Sequence, residues 1–400
     1  MTVRHSGDPH LFYGALWSCN FGPALRALGH ELLESQIDLL PASRFMQVAS
    51  GFTTEELKVR AHITEQILNE VKAAHLQRPV DLFLSYFYNA HFDASGFDEL
   101  RRLGIPSTNF YCNSVYQFEK VSEIAGNADF SWHTEKNARE LYLSVGANPV
   151  RVQFGADPNL YHPLTGVERK RAACFTGQRY ADRDRWLAAL HHANIPFDIY
   201  GSDWNSTVET AEDVAPCDEV YLGRKQYRPG SFASYAHAVR ENIERDGLIS
   251  GLSRTAKQLR YRRQTQRLTP QIVAHAKGRS ENIAATLAAY EVCLNFSNVW
   301  ADGRAGSELI PHMRLRDFEA PMCRTCYITG YNDEIGEFYE IGKEIDTYTT
   351  IQELIDKTKF YLNDPTAAQQ LRTAGYERAR RDHTWLKRFE ELFRKIGLNN

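Results

Sequence analysis

Arg316-Asp317-Phe318-Glu319 is the run whose residue types and spacing say most about chemistry. The sequence predicts a helix over residues 314–322 after a strand-loop unit. That sets the run at the mouth of a parallel sheet, where open α/β folds bind ligands. A carboxylate such as Glu319 can accept two hydrogen bonds from vicinal hydroxyls, as on a ribose. Helix starts also present unpaired N–H groups and a positive dipole end to phosphate. Arg316, with Arg179, Arg183 and Arg304, can grip phosphate through two N–H groups at once, which a lysine cannot. Gly177, Gly303 and Gly306 leave room for backbone to approach an anion. His91 and His133 stand at the C-terminal ends of expected strands, where an imidazole can hydrogen-bond a hydroxyl or take its proton.

Other constellations are weaker. Asp182-Arg183-Asp184 could bridge a metal to a diphosphate, yet it sits where a helix begins and aspartate is simply a good cap. Cys323-Arg324-Thr325-Cys326 is a CxxC without a second pair or nearby histidines, so it is a poor zinc or redox motif. No GxxxxGK[ST], no GxGxxG after the first strand and no GxSxG elbow occurs, which argues against three large enzyme classes.

The elements that must position these groups alternate. Strands are expected at 10–17, 81–88, 107–112 and 150–154, with helices at 22–34, 55–74 and 97–103 and a strand-turn-helix unit at 130–142. The helix over 22–34 would carry Leu25, Leu28 and Leu32 on one face. The alternation restarts near residue 166 with strands at 172–176, 196–201, 291–296 and 324–328. Its helices fall at 184–193, 281–290, 314–322, 351–362, 366–380 and 385–396. Such alternation implies parallel, doubly wound sheets, here two Rossmann-like halves facing a cleft. The expected domains are 1–165, 166–380 and a last segment, 381–400, packing back across the hinge.

Composition sets limits. The chain has 400 residues, 43% hydrophobic and 12% aromatic, enough for two cores. Its formal charge of −3 does not fit a generally basic nucleic-acid binder. No apolar run nears the roughly 20 residues of a membrane helix, and the first ten residues lack a secretory core segment. Seven scattered cysteines read as reduced thiols, hence a cytoplasmic protein, with a peripheral position at a membrane surface as the variant.

One stretch departs from the average. Residues 205–280 replace a short connection, and 248–280 hold eight Lys or Arg, among them Arg260, Arg262 and Arg263, with no acid. That is a solvated helical face, an interface with an acidic partner subunit, or a dock for an anionic acceptor or headgroups.

Three segments resemble the nucleotide-sugar glycosyltransferases of the GT-B fold, and more narrowly the CgeB-like enzymes related to the GT4-type group. They are residues 81–113 with ADFSWHTEKNARELYLSVGANPVRVQFGADPNLYHP (128–163), ACFTGQRYADRDRWLAALHHANIPFDIYGSDW (173–204), and AYEVCLNFSNVW through MRLRDFEAPMCRTCYITGYNDEIGEFYEIGKEIDTY to DHTWLKRFEELF. The resemblance implies a hexosyl- or pentosyltransferase in which the second domain binds the nucleotide-sugar donor and Glu319 its ribose. Arg316, Arg179, Arg183, Arg304 and the glycines would neutralise the departing diphosphate, with no obligatory metal or cofactor. The first domain would bind the acceptor, a glycan, a lipid-linked sugar or nucleic acid, with His91 and His133 near the transferred sugar. Asn113 would contact the acceptor; the basic insertion itself, apart from the resemblance, adds the reading that Arg260, Arg262 and Arg263 contact a polyanionic one, a modified nucleic acid or a phosphorylated glycan.

The match has departures. Asn113 stands where the family often has aspartate, and Pro311 where a second glutamate would precede Glu319 by eight, with Glu308 nearby. Cys323-Arg324 replaces a cysteine-glycine turn, and the basic insertion is outside the pattern. A sugar-nucleotide epimerase of the same fold, or a non-catalytic binder, are the rival readings.

Overall fold

The computed structural model describes residues 2–3, 16–204, 220–225, 227 and 231–398. The chain divides into two compact units, one of Met1–Asp157, Val220–Lys225 and Trp385–Asn400, the other of Pro158–Glu219 and Gln226–Thr384. The expected border at 165/166 falls a few residues inside the second unit.

The first unit is built on six parallel strands: β1 (Thr2–Val3), β2 (Glu34–Ser35), β3 (Phe83–Ser85), β4 (Ser107–Tyr111), β5 (Phe130–His133) and β6 (Pro149–Arg151). They lie in the order β2-β1-β3-β4-β5-β6. The longer helices between them are α1 (Gly22–Ala27), α2 (Thr54–Gln77), α3 (Ser95–Arg102) and α4 (Arg139–Ser144). The long α2 starts at a reciprocal cap: Glu56 N–H donates to Thr53 Oγ1 (3.1 Å) and Thr53 N–H to the Glu56 carboxylate (2.9 Å). Every residue of β3 and β4 is buried, as a sheet covered on both faces requires.

Two early expectations need correction. Most of the strand expected at 10–17 lies outside the described residues; its last residue, Trp17, begins a helical turn, Trp17–Phe21, that leads into α1. The helix expected over 22–34 ends at Ala27, because Gly29 takes φ +87°, a backbone that leaves the helix and that glycine adopts without strain. Leu28 and Leu32 are therefore not on one helical face.

The second unit opens with β7 (Lys170–Thr176), α5 (Arg183–His192) and β8 (Phe197–Tyr200). The chain then contributes an antiparallel hairpin, β9 (Val220–Tyr221) and β10 (Arg224–Lys225), to the first unit. There Arg224 makes two bonds to Glu56 (2.8 and 2.9 Å), and Thr53 Oγ1 donates to Leu222 O (2.5 Å). So the segment read as one basic insertion has two parts. Its second part, α6 (Phe232–Asp246) and α7 (Leu248–Val273), is a helical hairpin of the second unit.

The unit continues with α8 (Ile283–Ala288), β11 (Tyr290–Asn295), the antiparallel pair β12 (Asn298–Trp300) and β13 (Leu309–Pro311), and α9 (Arg316–Met322). It ends with β14 (Cys326–Gly330), β15 (Asp346–Tyr348), α10 (Ile351–Asn363) and α11 (Pro365–Asp382). Its parallel sheet runs β15-β14-β11-β7-β8. From β7 the chain winds outward to β8, then returns to the other side at β11, so the switch point lies between β7 and β11. Phe175, Ile199, Leu294, Ile328 and Leu354 form its buried core.

The last helix, α12 (Trp385–Ile396), joins the first unit. Trp385 and Phe389 bring their rings 4.7 and 5.2 Å from Phe21, which itself stacks 5.5 Å from Trp132. Phe389 and Leu392 are fully buried, each contributing about 1.5–3 kcal/mol by leaving water.

Candidate functional site

The residues after β7, after β11 and before α9 meet at the C-terminal edge of the second sheet, around its switch point. Their loops are laced together. Asp182 Oδ2 accepts from Asn298 Nδ2 (2.7 Å) and Trp186 Nε1 (2.8 Å), and the Trp300 N–H donates to Tyr180 Oη (3.3 Å). Arg314 Nη2 donates to Asn298 O (3.3 Å), and Arg183 Nη1 to Gln178 O (2.6 Å). Arg183 also lies over the Phe175 and Tyr180 rings.

Asp317 pins α9 to this edge. It is fully buried and accepts from Tyr327 Oη (2.8 Å), Thr329 Oγ1 (2.9 Å), Asn295 Nδ2 (3.3 Å) and the Arg314 N–H (2.6 Å). Burial is the main influence on its pKa and raises it; the Arg314 N–H, Tyr327 and Thr329 bonds and the Arg314 charge act against that. Glu319 follows on α9, about one-tenth exposed, with Arg316 Nη1 2.9 Å from its Oε2. Tyr161 is within hydrogen-bonding reach of the same carboxylate; burial first, and then the Glu319 charge, hold the phenol well above its ordinary pKa.

What marks this edge is a group of buried polar atoms without a hydrogen-bond partner. They are Thr176 Oγ1, Asp182 Oδ1, Arg314 Nε, Arg316 Nε and Asn332 Nδ2. Each stands at the end of β7 or β14, in the loop leading to α5, or around the start of α9. Native interiors leave few such atoms, and a ligand is one of the things that satisfies them.

The other expected donor residues are placed differently. Arg179 is taken up by Asp184, through three contacts of 2.6–3.1 Å, and by Thr265 O and Thr269 Oγ1 of α7. Arg304 reaches Asp246 (2.9 Å) and Asp302 (3.2 Å), acids that Arg254 of α7 shares. Both arginines tie the helical hairpin to the sheet, so a phosphate contact would require breaking these pairs. Gly306 is needed for the same packing: a Cβ there would sit 3.1 Å from Lys257 Cβ, and φ is +86°. Gly303 turns the same loop at φ +74°. Gly177 packs under Trp204, whose Nε1 donates to its carbonyl (2.7 Å), and a Cβ would meet Phe175 at 2.7 Å.

Neither Asp182-Arg183-Asp184 nor the CxxC forms a metal cluster among the described residues. Cys323 and Cys326 are buried, which pushes both thiols above their ordinary range.

In the first unit, His91 and His133 differ. His91 is fully buried: its Nδ1 accepts from the Tyr88 N–H (3.1 Å) and its Nε2 donates to Ser43 Oγ (3.1 Å). With both nitrogens used, it braces the loop after β3. His133 ends β5, stacks on Tyr142 (5.1 Å) and donates from Nδ1 to Glu135 O (2.9 Å), while Nε2 is left without a partner. Burial lowers its pKa to about 4, so the ring is a neutral acceptor at neutral pH. Glu135 takes the Ser114 and Val115 N–H groups, capping the short helix Ser114–Gln117 that Asn113 precedes. His133 and Asn113 thus share one end of the first sheet. Arg260 and Arg263 are exposed on α7, and Arg262 stacks on Tyr235 of α6 (5.2 Å).

A cavity of about 480 Å³ lies at the opposite, N-terminal edge of the first sheet, between Leu32, Val80, Leu82 and Phe393. It is far along the strands from the carboxyl ends and takes no part in the site.

Sequence reasoning missed Arg314, Asp317 and Asn332. Asp317 sat within the quoted run, but its partners come from two strands that only the fold brings together.

Residues 232–394 match the model of a family described as glycosyl transferase-like, so the helical hairpin lies inside the matched region. No curated protein matches the chain in sequence. A glycosyltransferase from Rickettsia africae is similar in structure at 10% identity and TM-score 0.57, covering 100% of this chain and 98% of that one. Sucrose-phosphate synthase from Thermosynechococcus elongatus aligns at 13% identity and TM-score 0.53, over 99% and 98% of the two chains. HepE from Anabaena, in complex with UDP and glucose, aligns at 12% identity and TM-score 0.53, over 99% and 98%. Identities this low speak for fold alone. The chain has the GT-B fold, and over residues 232–394 its sequence is glycosyl transferase-like.

Proposed function

We propose that this protein transfers a sugar from a nucleoside-diphosphate sugar to an acceptor hydroxyl, binding the donor at the C-terminal edge of the second sheet. The observation that carries the reading is the set of unsatisfied buried groups there, of which Arg314, Arg316 and Asn332 lie inside the family-matched segment. In this reading Arg314 and Arg316 face the diphosphate, and their fixed positive charge stabilises it as it departs. Glu319, held by Arg316, accepts from the ribose hydroxyls. The charge comes from side chains, so turnover should survive a chelator. In the first unit, His133 Nε2 accepts a hydrogen bond from a substrate hydroxyl.

The test is a panel of UDP-, GDP-, ADP- and dTDP-sugars, with UDP-sugars first because HepE was solved with UDP. Released diphosphate and sugar are measured for the parent, Glu319→Ala and Arg316→Ala. Release from one donor, lost in both variants while they still fold, supports the proposal. A rearranged sugar nucleotide would make the protein an epimerase, and binding without turnover would make it a non-catalytic member. No binding of any donor would refute the assignment around Glu319.

A further inference from the structure

The helical hairpin α6–α7 has two unlike sides. The inner side of α7 is committed throughout: Arg254 to Asp246 and Asp302, Tyr261 against Trp300, Thr265 and Thr269 to Arg179, and Ile272 to the core. The outer side carries no such partner among the described residues. At about 1.5 Å per residue, α7 presents it along about 39 Å.

Helical spacing puts Leu248, Ile249, Leu252, Leu259, Arg260, Arg263 and Arg267 within one arc of about 120°. The four apolar members are 64%, 84%, 49% and 43% exposed, figures unusual for side chains of this size. The three arginines are exposed and form no ion pair among the described residues. Nor can the helix supply one, since 248–280 has no acid. Leu248, Ile249 and Leu252 occupy the turn from α6, and the arginines follow along the helix.

We infer that this outer face of α7 docks the protein on an anionic lipid surface, Leu248, Ile249 and Leu252 entering the headgroup boundary and Arg260, Arg263 and Arg267 pairing with lipid phosphates. The mixture decides the class of partner. Leucine and isoleucine lose water on entering a bilayer, and each nearby arginine adds attraction to an anionic leaflet. A nucleic acid would use the arginines but gives nothing to the exposed aliphatic side chains, whereas a bilayer takes up both. No described helix is long and apolar enough to cross a membrane, so the docking is peripheral.

Co-sedimentation of the full chain with vesicles tests this. Phosphatidylcholine vesicles containing phosphatidylglycerol should carry the protein down and pure phosphatidylcholine should not, with binding falling as salt rises. Changing Arg260, Arg263 and Arg267 to Gln together should weaken binding on the order of a hundredfold. Changing Leu248, Ile249 and Leu252 to Ser should remove the part that survives high salt. Absence of binding to either vesicle overturns the inference. So does binding to a nucleic acid that the serine variant leaves intact, or a concentration-dependent dimer that the serine variant abolishes. If a triple variant misfolds, the salt and lipid series on the parent protein still decides.

Discussion

Asp317 offers the sharpest check on how the donor edge is held. Its carboxylate is the common acceptor for two hydroxyls, one amide and one backbone N–H drawn from β11, β14 and the start of α9. Asp317→Ala leaves those buried donors unpaired. At about 1–3 kcal/mol for each, less what relaxation and water recover, the loss should be about 3–5 kcal/mol. A unit of this size loses about 2–4 °C of Tm per kcal/mol, so its melting should fall by roughly 6–20 °C. Asp317→Asn keeps an acceptor for the Arg314 N–H and should cost about 1–2 kcal/mol. The pH dependence gives a second reading. Burial raises the folded pKa, so the folded state takes up a proton before the unfolded state as pH falls. Stability from this group is therefore full below the unfolded value of about 3.9 and lost as pH rises through the folded value. Asn should flatten that slope. Thermal unfolding across the acid range measures both, and an alanine variant that melts within about 2 °C of the parent would refute the anchoring role.

Three further outcomes follow from the geometry. His133 has a folded pKa of about 4 against an ordinary 6.5, so stability should fall as pH drops from about 6.5 towards 4, by about 3 kcal/mol in all. His133→Phe should melt with that slope removed. His91→Ala should lower Tm through the lost Ser43 and Tyr88 contacts while leaving the pH profile of any turnover unmoved, and a changed profile would contradict a bracing role. Arg224→Ala strands the buried Glu56 carboxylate, whose pKa Arg224 holds down; it should cost about 1–3 kcal/mol, and Glu56→Gln in the same background should restore most of it.

The parts that could be read from sequence were those with a local cause. A near-continuous apolar run marked β3, helical spacing marked α10, and the residue range of α12 matches the one expected. The helix at 22–34 failed because three leucines at helical spacing outvoted one glycine, whereas the backbone obeys the glycine. The site was legible as a place more than as a set of residues. Arg316 and Glu319 were visible because they lie together on α9. Arg179, Arg304 and Gly306 looked equally suited to phosphate, since an arginine's partner is invisible until the fold supplies it. Asp246 lies 58 residues from Arg304 and the Thr265 carbonyl of α7 lies 86 from Arg179, although Asp184 is only five residues from Arg179. Asp317 and Asn332 were missed for the same reason, as a buried acid and a buried amide carry no local signature.

The aromatic cluster of Phe21, Trp132, Trp385 and Phe389 has a consequence for how the molecule is made. Two of its rings leave the ribosome early and two only after nearly the whole chain has been synthesised. Throughout that interval the first unit must wait with Phe21 and Trp132 lacking their covering rings, while every strand and helix of the second unit emerges and can fold. Assembly is therefore out of order: the part begun first is closed last. Slowing translation would lengthen that exposed interval instead of easing it, and a chaperone binding apolar aromatic surface would be engaged by the unfinished first unit.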